Sequence, residues 1–441
     1  MTLRASLLRE LVNPNLSVGG RAELCCELAK DFENKGEYEE AREVLSGLWP
    51  RIDQRPRLKG LEPNVAAEVL MRAGVLTGWI GSDQEQAKDF ISESLAIFES
   101  RNYKKKIAEA QTELALCYMR IGEYENASDL LKLALSQLTT DSELKAKAVL
   151  RSGIVKRHTG PLHEALEFLT RNEPLFEKIN SQLLKGCYHQ TLGDFLNLCE
   201  LGRPGDYLDR AFIEYTAASY HLEKAEHKRY LADVENNRGF LFLKINHCAE
   251  AHEHLNRSRR ILASVNDKVT LAQVDETRAR VFLKEKKNVE AEKAARSSVR
   301  ALENSDRPSL LAESLERHGI ALARLGNYSD ALTAFRRSVH LLQDIDSLNR
   351  AADSALAAFQ ELDERLAIKG AITTSGKPLD EEVFLLEHEL IKHALENAQG
   401  RVTFAARSLG MGYQKFTHKL NTKHKALLKY RKPSQQRKRR K

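Results

Sequence analysis

Proline and glycine are scarce, 10 and 23 among 441 residues, too few for the dense turns of a β-sandwich or barrel and in keeping with long helices. No stretch approaches the ~18 uninterrupted apolar residues of a membrane span. The opening MTLRASLLRELVNP breaks its apolar run with charges and offers no cleavage site, so no signal peptide is read. The six cysteines, at 25, 26, 117, 187, 199 and 248, form no C-x-x-C pair. That excludes zinc-ribbon and secreted disulfide frameworks, and free thiols on buried helix faces in a reducing cytoplasm are expected. No G-x-x-x-x-G-K-[ST] loop and no G-x-G-x-x-G is present, so the sequence carries no phosphate-cradling signature.

Acidic residues are absent from one part of the chain altogether. Residues 401–441 hold fourteen Lys and Arg and not one Asp or Glu, whereas the net charge of the whole is only +7. One end is therefore suited to a polyanion and the remainder is not.

What the rest contains is a repeat. GEYEEA (36–41), GEYENA (122–127) and GNYSDA (326–331) share a pattern, with weaker versions in GPLHEA (160–165), GDYLDRA (205–211), NHCAEA (246–251) and KKNVEA (286–291). With Ala87 added, the marker alanines fall at 41, 87, 127, 165, 211, 251, 291 and 331, in steps of 46, 40, 38, 46, 40, 40 and 40. Each marker lies between two amphipathic helical patterns. Before Gly122 run Ala110, Leu114, Cys117, Tyr118 and Ile121; after it run Tyr124, Ala127, Leu130, Leu131, Ala134 and Leu138, at helical spacing. The small alanine allows close approach, the glycine ends the first helix, and the tyrosine covers the turn. Near 200–211 an extra residue predicts a local irregularity.

The repeat resembles the tetratricopeptide repeat in a version of about 40 residues, through Leu114-Ala115, Tyr118, Gly122, Tyr124 and Ala127, and again through His318-Gly319, Leu322, Gly326, Tyr328, Ala331 and Phe335. The resemblance implies a stacked superhelix whose long concave surface binds a peptide or a protein segment. Inner positions of the first helices would include Glu109, Thr112, Asn236, Arg280 and Glu316.

Two stretches resemble sites of chemistry, and each has a plainer role. HCAEAHEH (247–254) places Cys248 and His252 four apart with His254 near, yet it lacks H-E-x-x-H spacing and Cys248 falls at a packing position of the repeat. Cys187 and Cys199 lack a histidine partner in a turn. No metal, no cofactor and no enzymatic activity are expected.

At the acid-free end, ITTSGKPLD (372–380) reads as a linker. A helix follows with Asp380, Glu381 and Glu382 in its first turn and two apolar stripes, Val383, Leu386, Leu390, Ala394 and Phe384, Ile391, Leu395, Ala398. One stripe serves the following helices; the other would be left for a second copy of the chain. In VTFAARSLG, Phe404, Ala405 and Leu409 are expected inward. Ala406 lets the next helix cross closely, Gly410 turns the chain, Met411 fills the gap, and Phe416 and Leu420 lock the last helix. This leaves Tyr413, Gln414, Lys415, Thr417 and His418 outward, with amide and ammonium groups suited to base edges. Arg401, Thr403, Arg407, Lys419 and Lys423 would lie by phosphates.

ALENAQG, AARSLGM and YQKFTHKL together make residues 383–420 resemble the Fis-type helix-turn-helix of bacterial transcription activators. Arg401 stands where that family usually has a capping Asn, and Gly412 where Ser or Asn usually opens the recognition helix; each weakens capping by ~1 kcal/mol. The resemblance implies binding of double-stranded DNA as a homodimer paired through the first helix.

The expected protein is all-α: a tetratricopeptide-like superhelix of about eight hairpins over 1–366, a linker at 367–380, a three-helix helix-turn-helix domain over 381–428 and a basic tail at 429–441. It reads as a cytoplasmic, nucleoid-associated DNA-binding transcriptional regulator without a membrane segment, in which a ligand alters solenoid curvature and the spacing of paired DNA-binding domains. The competing reading is a protein-interaction adaptor tethered to nucleic acid by non-specific charge, and a further one makes residues 400–420 a solvated solenoid cap.

Overall fold

The computed structural model describes residues 3–11, 13, 15–80, 83–199, 204–305, 307–345, 347–369 and 379–431. Among them are 22 α-helices, one 3-10 helix and no strand. No described helix is long and apolar enough to cross a membrane. The larger parts of the expected linker (367–380) and basic tail (429–441) lie outside the described residues.

The chain forms two compact units, residues 1–245 with 260–265, and residues 246–259 with 266–441. The first contains α1 (Leu3–Leu11), α2 (Val18–Glu33), α3 (Tyr38–Val44), α4 (Pro63–Ile80), α5 (Gln84–Ser100), α6 (Lys104–Arg120) and α7 (Tyr124–Gln137). It continues through α8 (Glu143–Thr159), α9 (Leu162–Arg171), the short α10 (Glu173–Lys178), α11 (Gln182–Leu198), α12 (Pro204–Lys224) and α13 (Lys228–Lys244). The second takes the greater part of α14 (Cys248–Ser264), whose end from Arg260 belongs to the first, and holds α15 (Lys268–Lys284), α16 (Asn288–Leu302), α17 (Pro308–Arg324), α18 (Tyr328–Asp344) and α19 (Leu348–Lys369). It ends with α20 (Leu379–Asn397), α21 (Val402–Ser408), α22 (Tyr413–Thr422) and the 3-10 helix Lys425–Tyr430.

Within each unit successive helices pack as antiparallel hairpins, and first helices also touch first helices, as α4 does α6 and α15 does α17. The marker alanines carry this packing: all eight, from Ala41 to Ala331, are 0% exposed. A larger side chain there would force helices apart that are otherwise close-packed. In the second unit the 40-residue step reaches single hydrogen bonds. Ser298 Oγ donates to Ala272 O at 2.6 Å, and forty residues on Ser338 Oγ donates to Ala312 O at 2.8 Å.

The turns follow from one backbone requirement. Gly36, Gly122 and Gly326 take φ of 70°, 85° and 88°, and the next amide bonds back five residues, Glu123 N to Tyr118 O at 2.9 Å and Asn327 N to Leu322 O at 2.9 Å. In the eroded repeats Asn246 (φ 64°) and Lys286 (φ 61°) adopt the same left-handed conformation without glycine. The weaker markers differ. Gly160 is extended at φ −154°, where Pro161 opens α9, and Gly205 lies inside α12, which starts at Pro204.

The first unit closes on itself. At the amino end of α13, Arg229 Nε donates to Gly36 O at 3.0 Å, and its guanidinium pairs with Glu39 at 2.9 Å. Lys35 Nζ meets Glu226 at 2.8 Å. The His227 ring lies against Gly36, so near that a Cβ there would come within 2.8 Å of it. Gly36→Ala should therefore cost about 1–2 kcal/mol for the left-handed backbone alone, with more from the His227 contact. Urea unfolding checks this, and the control Gly47→Ala, with no atom near its Cβ, should lie well below that cost.

Candidate nucleic-acid interface and ligand cavity

Helices α20, α21 and α22 close on one small core: Ile391, Ala394, Leu395, Val402, Ala405, Ala406, Phe416, Leu420 and Leu427 are buried together, with Leu409 and Met411 partly buried against them. Ala406, Phe416 and Leu420 are 2%, 0% and 0% exposed, as their spacing predicts. Gly410 turns the chain at φ 62°, and Met411 N donates to Ala406 O at 2.8 Å. One inward assignment is corrected. Phe404 is 54% exposed, because Val402, with Ala405 and Ala406, takes the buried face of α21. The Arg401 guanidinium lies 4.7 Å from the centre of the Phe404 ring. Neither Arg401 nor Gly412 caps its helix through a side chain.

The outer surface of α22 presents Tyr413, Gln414, Lys415 and His418, all exposed; Thr417 is half-buried, with its hydroxyl in no hydrogen bond. Arg401, Thr403, Arg407 and Lys423 are exposed. Lys419 differs from these. Its ammonium binds Glu387 of α20 and lies 5.2 Å from the Phe359 ring of α19. Burial raises the Glu387 carboxyl, but bonds from Lys419 and His424 outweigh it and hold the pKa low. The apolar stripe expected to await a second copy also has an occupant within the chain. Leu390 packs with the cluster of Leu342, Ala351 and Ala355, and Val383 with that of Leu322, Phe335 and Leu362. A stripe of this width buries against the nearest apolar surface, which α18 and α19 supply.

In the first unit, the first helices surround a cavity of about 280 Å³. Trp79, Leu116, Met119, Leu150, Ile154 and Tyr230 supply apolar wall; Glu33, Glu113, Lys147, Arg151, Asp194 and His227 supply the ionisable groups. Tyr38 stacks on Trp79 with centroids 4.8 Å apart. Glu113 accepts from Lys147 at 3.0 Å and Arg151 at 2.9 Å; burial pushes its carboxyl up, yet these two cations hold it well below the usual range. Burial raises Asp194 to about 6 against hydrogen bonds from Tyr215 (2.6 Å) and Asn237 (2.9 Å). Burial raises Glu33 to about 7, with Arg72 offsetting only part of it. His227 goes the other way, to about 4, because burial penalises the imidazolium.

None of the groove residues named from sequence lines this cavity. Glu109 is buried among Lys30, Arg72 and Lys106, whose charges overcome burial and bring it to about 2. Thr112 is fully buried, its hydroxyl spent on Ala108 O at 2.6 Å. Asn236 is buried too. In the second unit Arg280 pairs with Glu276 at 2.6 Å and Glu316 with Arg317 at 2.6 Å. On α6 it is Glu113, one turn beyond Glu109 and next to Thr112, that lines the cavity. The signal that would have found it is polar residues spaced four apart on neighbouring first helices, Lys147 with Arg151 and Gln190 with Asp194.

The residues weighed for chemistry have other engagements. His252 Nε2 meets Glu285 at 2.8 Å and its ring lies 4.8 Å from Phe282. Among the described residues no group of three or more His, Cys, Asp or Glu is arranged to hold a metal. All six cysteines are free, and burial lifts Cys187 to about 12, far from a thiolate nucleophile.

This combination defines a class: a tetratricopeptide-like helical repeat protein with a carboxyl-terminal helix-turn-helix. The profile of bacterial regulatory proteins of the Fis family matches residues 385–421. No curated relative matches by sequence. Among solved structures, a Rap protein complexed with competence and sporulation factor aligns over 93% of this chain and 99% of its own at 14% identity and a TM-score of 0.55. The apo quorum sensor NprR from B. thuringiensis aligns over 77% and 92%, at 12% identity and 0.53. A signal transduction ATPase with numerous domains and a tetratricopeptide repeat sensor, from Pyrococcus horikoshii, aligns over 83% and 54%, at 14% and 0.51. At these identities the likeness is one of fold.

A titration follows from His227. In the unfolded chain its imidazole protonates near 6.5, in the folded protein only near 4, so stability is lost as pH falls through that window. Wild type should lose on the order of 2 kcal/mol relative to His227→Gln between pH 7.5 and 5. The check is urea unfolding of both proteins at both pH values, since the difference in slope, not absolute stability, reports the imidazole.

Proposed function

We propose that this protein is a DNA-binding transcriptional regulator and not an enzyme: a repeat solenoid that binds a peptide or protein segment, joined to a helix-turn-helix that reads double-stranded DNA. The observation that carries it is the exposed face of α22, where Tyr413, Gln414, Lys415 and His418 project from a helix locked by Phe416 and Leu420, within the segment matching the Fis family. In this reading residues 1–366 are the sensor and 381–428 the DNA-binding domain, and the protein acts in the cytoplasm on the nucleoid. Gln414 and Lys415 reach base edges; Arg401, Thr403, Arg407 and Lys423 hold phosphates. Lys419 joins them only where its bond to Glu387 is exchanged for a phosphate. Two copies bind DNA together, and the cover that α18 and α19 place over Leu390 and Val383 competes with pairing through α20.

Support for a groove ligand comes from the fold shared with a Rap protein solved with competence and sporulation factor and with the quorum sensor NprR, together with the cavity ringed by first helices.

Selection of full-length protein against a random duplex library at physiological salt should enrich one motif, with two half-sites if the protein is a dimer. Gln414→Ala combined with Lys415→Ala should abolish that preference, each lost bidentate or guanine contact being worth about 1–3 kcal/mol. Binding that is sequence-blind and unchanged in the double variant would sink the reading in favour of the charge tether. Arg407→Ala should weaken all duplexes alike and reduce the slope of log K against log salt by about 1.

A further inference from the structure

The cavity of the first unit is short of positive charge. Its lining contains three carboxylates, Glu33, Glu113 and Asp194, against Lys147 and Arg151. Both cations are committed to Glu113, at 3.0 and 2.9 Å. His227, also in the wall, is held neutral by burial. Asp194 is met by neutral donors, the Tyr215 hydroxyl and the Asn237 amide, both on Oδ1.

Glu33 shows the shortage most directly. Its side chain is 10% exposed, and Oε2 accepts from Arg72 Nη1 while Oε1 has no hydrogen-bond partner. Nor is Arg72 its own. That guanidinium, 2% exposed, is shared with Glu68 at 3.5 Å and Glu109 at 3.4 Å. Lys30 and Lys106, the other cations nearby, bond to Glu109 and Glu68. A buried carboxylate with an idle oxygen is costly, and among the described residues none supplies the donor.

We propose that Glu33 is the acceptor for a cationic group of the groove ligand, an ammonium or guanidinium carried by a basic residue or by the free amino terminus of a peptide. This rests on the reading that the solenoid binds a peptide. The incoming cation completes the coordination of Glu33 Oε1, and the apolar wall of Trp79, Leu116 and Leu150 takes the aliphatic part of the same residue. The cavity, at about 280 Å³, is of a size for two or three residues of a peptide, near the lower end of the ~300–1,000 Å³ usual for ligand pockets. Specificity then comes from charge at one position and bulk at its neighbours.

The test is an mRNA-displayed library of random heptapeptides selected against the full chain, wild type and Glu33→Gln in parallel. Lys or Arg should be enriched about tenfold or more at one register position with wild type, or else free amino termini preferred over acetylated ones. Glu33→Gln should still retain peptides but without that preference. The amide keeps the shape and stays near Arg72, and a melting temperature at or above wild type shows that the variant is folded. Should Glu33→Gln not fold, titration of wild type with a selected peptide and its Lys/Arg→norleucine analogue decides the same point, equal affinities overturning the subsite. Peptides retained with no basic preference, or with one that Glu33→Gln leaves intact, overturn the cationic subsite and leave the peptide-binding reading standing. No peptide retained by wild type, and no shift of its melting temperature by arginine amide or spermidine, overturns both.

Discussion

Close approach of paired helices at a fully buried alanine is the constraint on which the rest of this structure depends. Where two helices touch at Ala127 or Ala291 the methyl group is wholly buried between them, so the spacing of the hairpins is set by their smallest residues and not by their largest. The larger side chains then interdigitate above and below that point, as Phe335 does against Gly319. A left-handed residue at the turn delivers the second helix at the required angle. These two demands, one steric and one conformational, recur about every forty residues and generate the superhelix; the inner surface is a by-product of them.

That inner surface is where evolution of function has latitude, because hairpin packing leaves the inward-facing positions of the first helices unconstrained. In the first unit they are occupied by ionisable groups whose protonation is set by burial against the supply of cations. Glu113, with two cations, stays ionised; Glu33 and Asp194, poorly supplied, are pushed toward the neutral form. Isolation of charge in a low-dielectric recess is tolerated in folded proteins chiefly where it serves recognition or chemistry. At the other end of the chain the same economy of partners shapes the helix-turn-helix. Lys419 finds Glu387, and Leu390 finds the solenoid, whereas Gln414, Lys415 and Arg407 are left to solvent.

Much of this was legible in the sequence, and for identifiable reasons. Alanine markers and helix-ending glycines announce themselves because few residues satisfy their geometry. AARSLGM and YQKFTHKL were equally plain, since Ala406, Gly410, Phe416 and Leu420 each answer a tight packing or backbone demand. Phe404 misled because α21 has seven residues, a helix too short for periodicity to fix its phase, and Val402 took the inward place. The cavity escaped for a related reason. Glu109 and Glu113 both fall on the inner half of α6, and only tertiary packing decides which meets open space and which is sealed by Lys30, Arg72 and Lys106. Gly160 and Gly205 show the reverse error, a residue that permits a left-handed turn without requiring one.

Repeat solenoids ordinarily hold together by contacts between neighbours, so that stability is a sum of local terms and ends can fray alone. The union of the α2–α3 turn with α13 departs from that scheme. Arg229 and Gly36 are 193 residues apart in sequence, and their contact makes the first hairpin answerable to the sixth. Linked in this way, the first unit gains a non-local interaction whose loop-closure cost is met only once the intervening helices are in place. It should therefore open and close as one cooperative body, giving a molecule bound inside it an all-or-none host where an open spiral would yield by degrees.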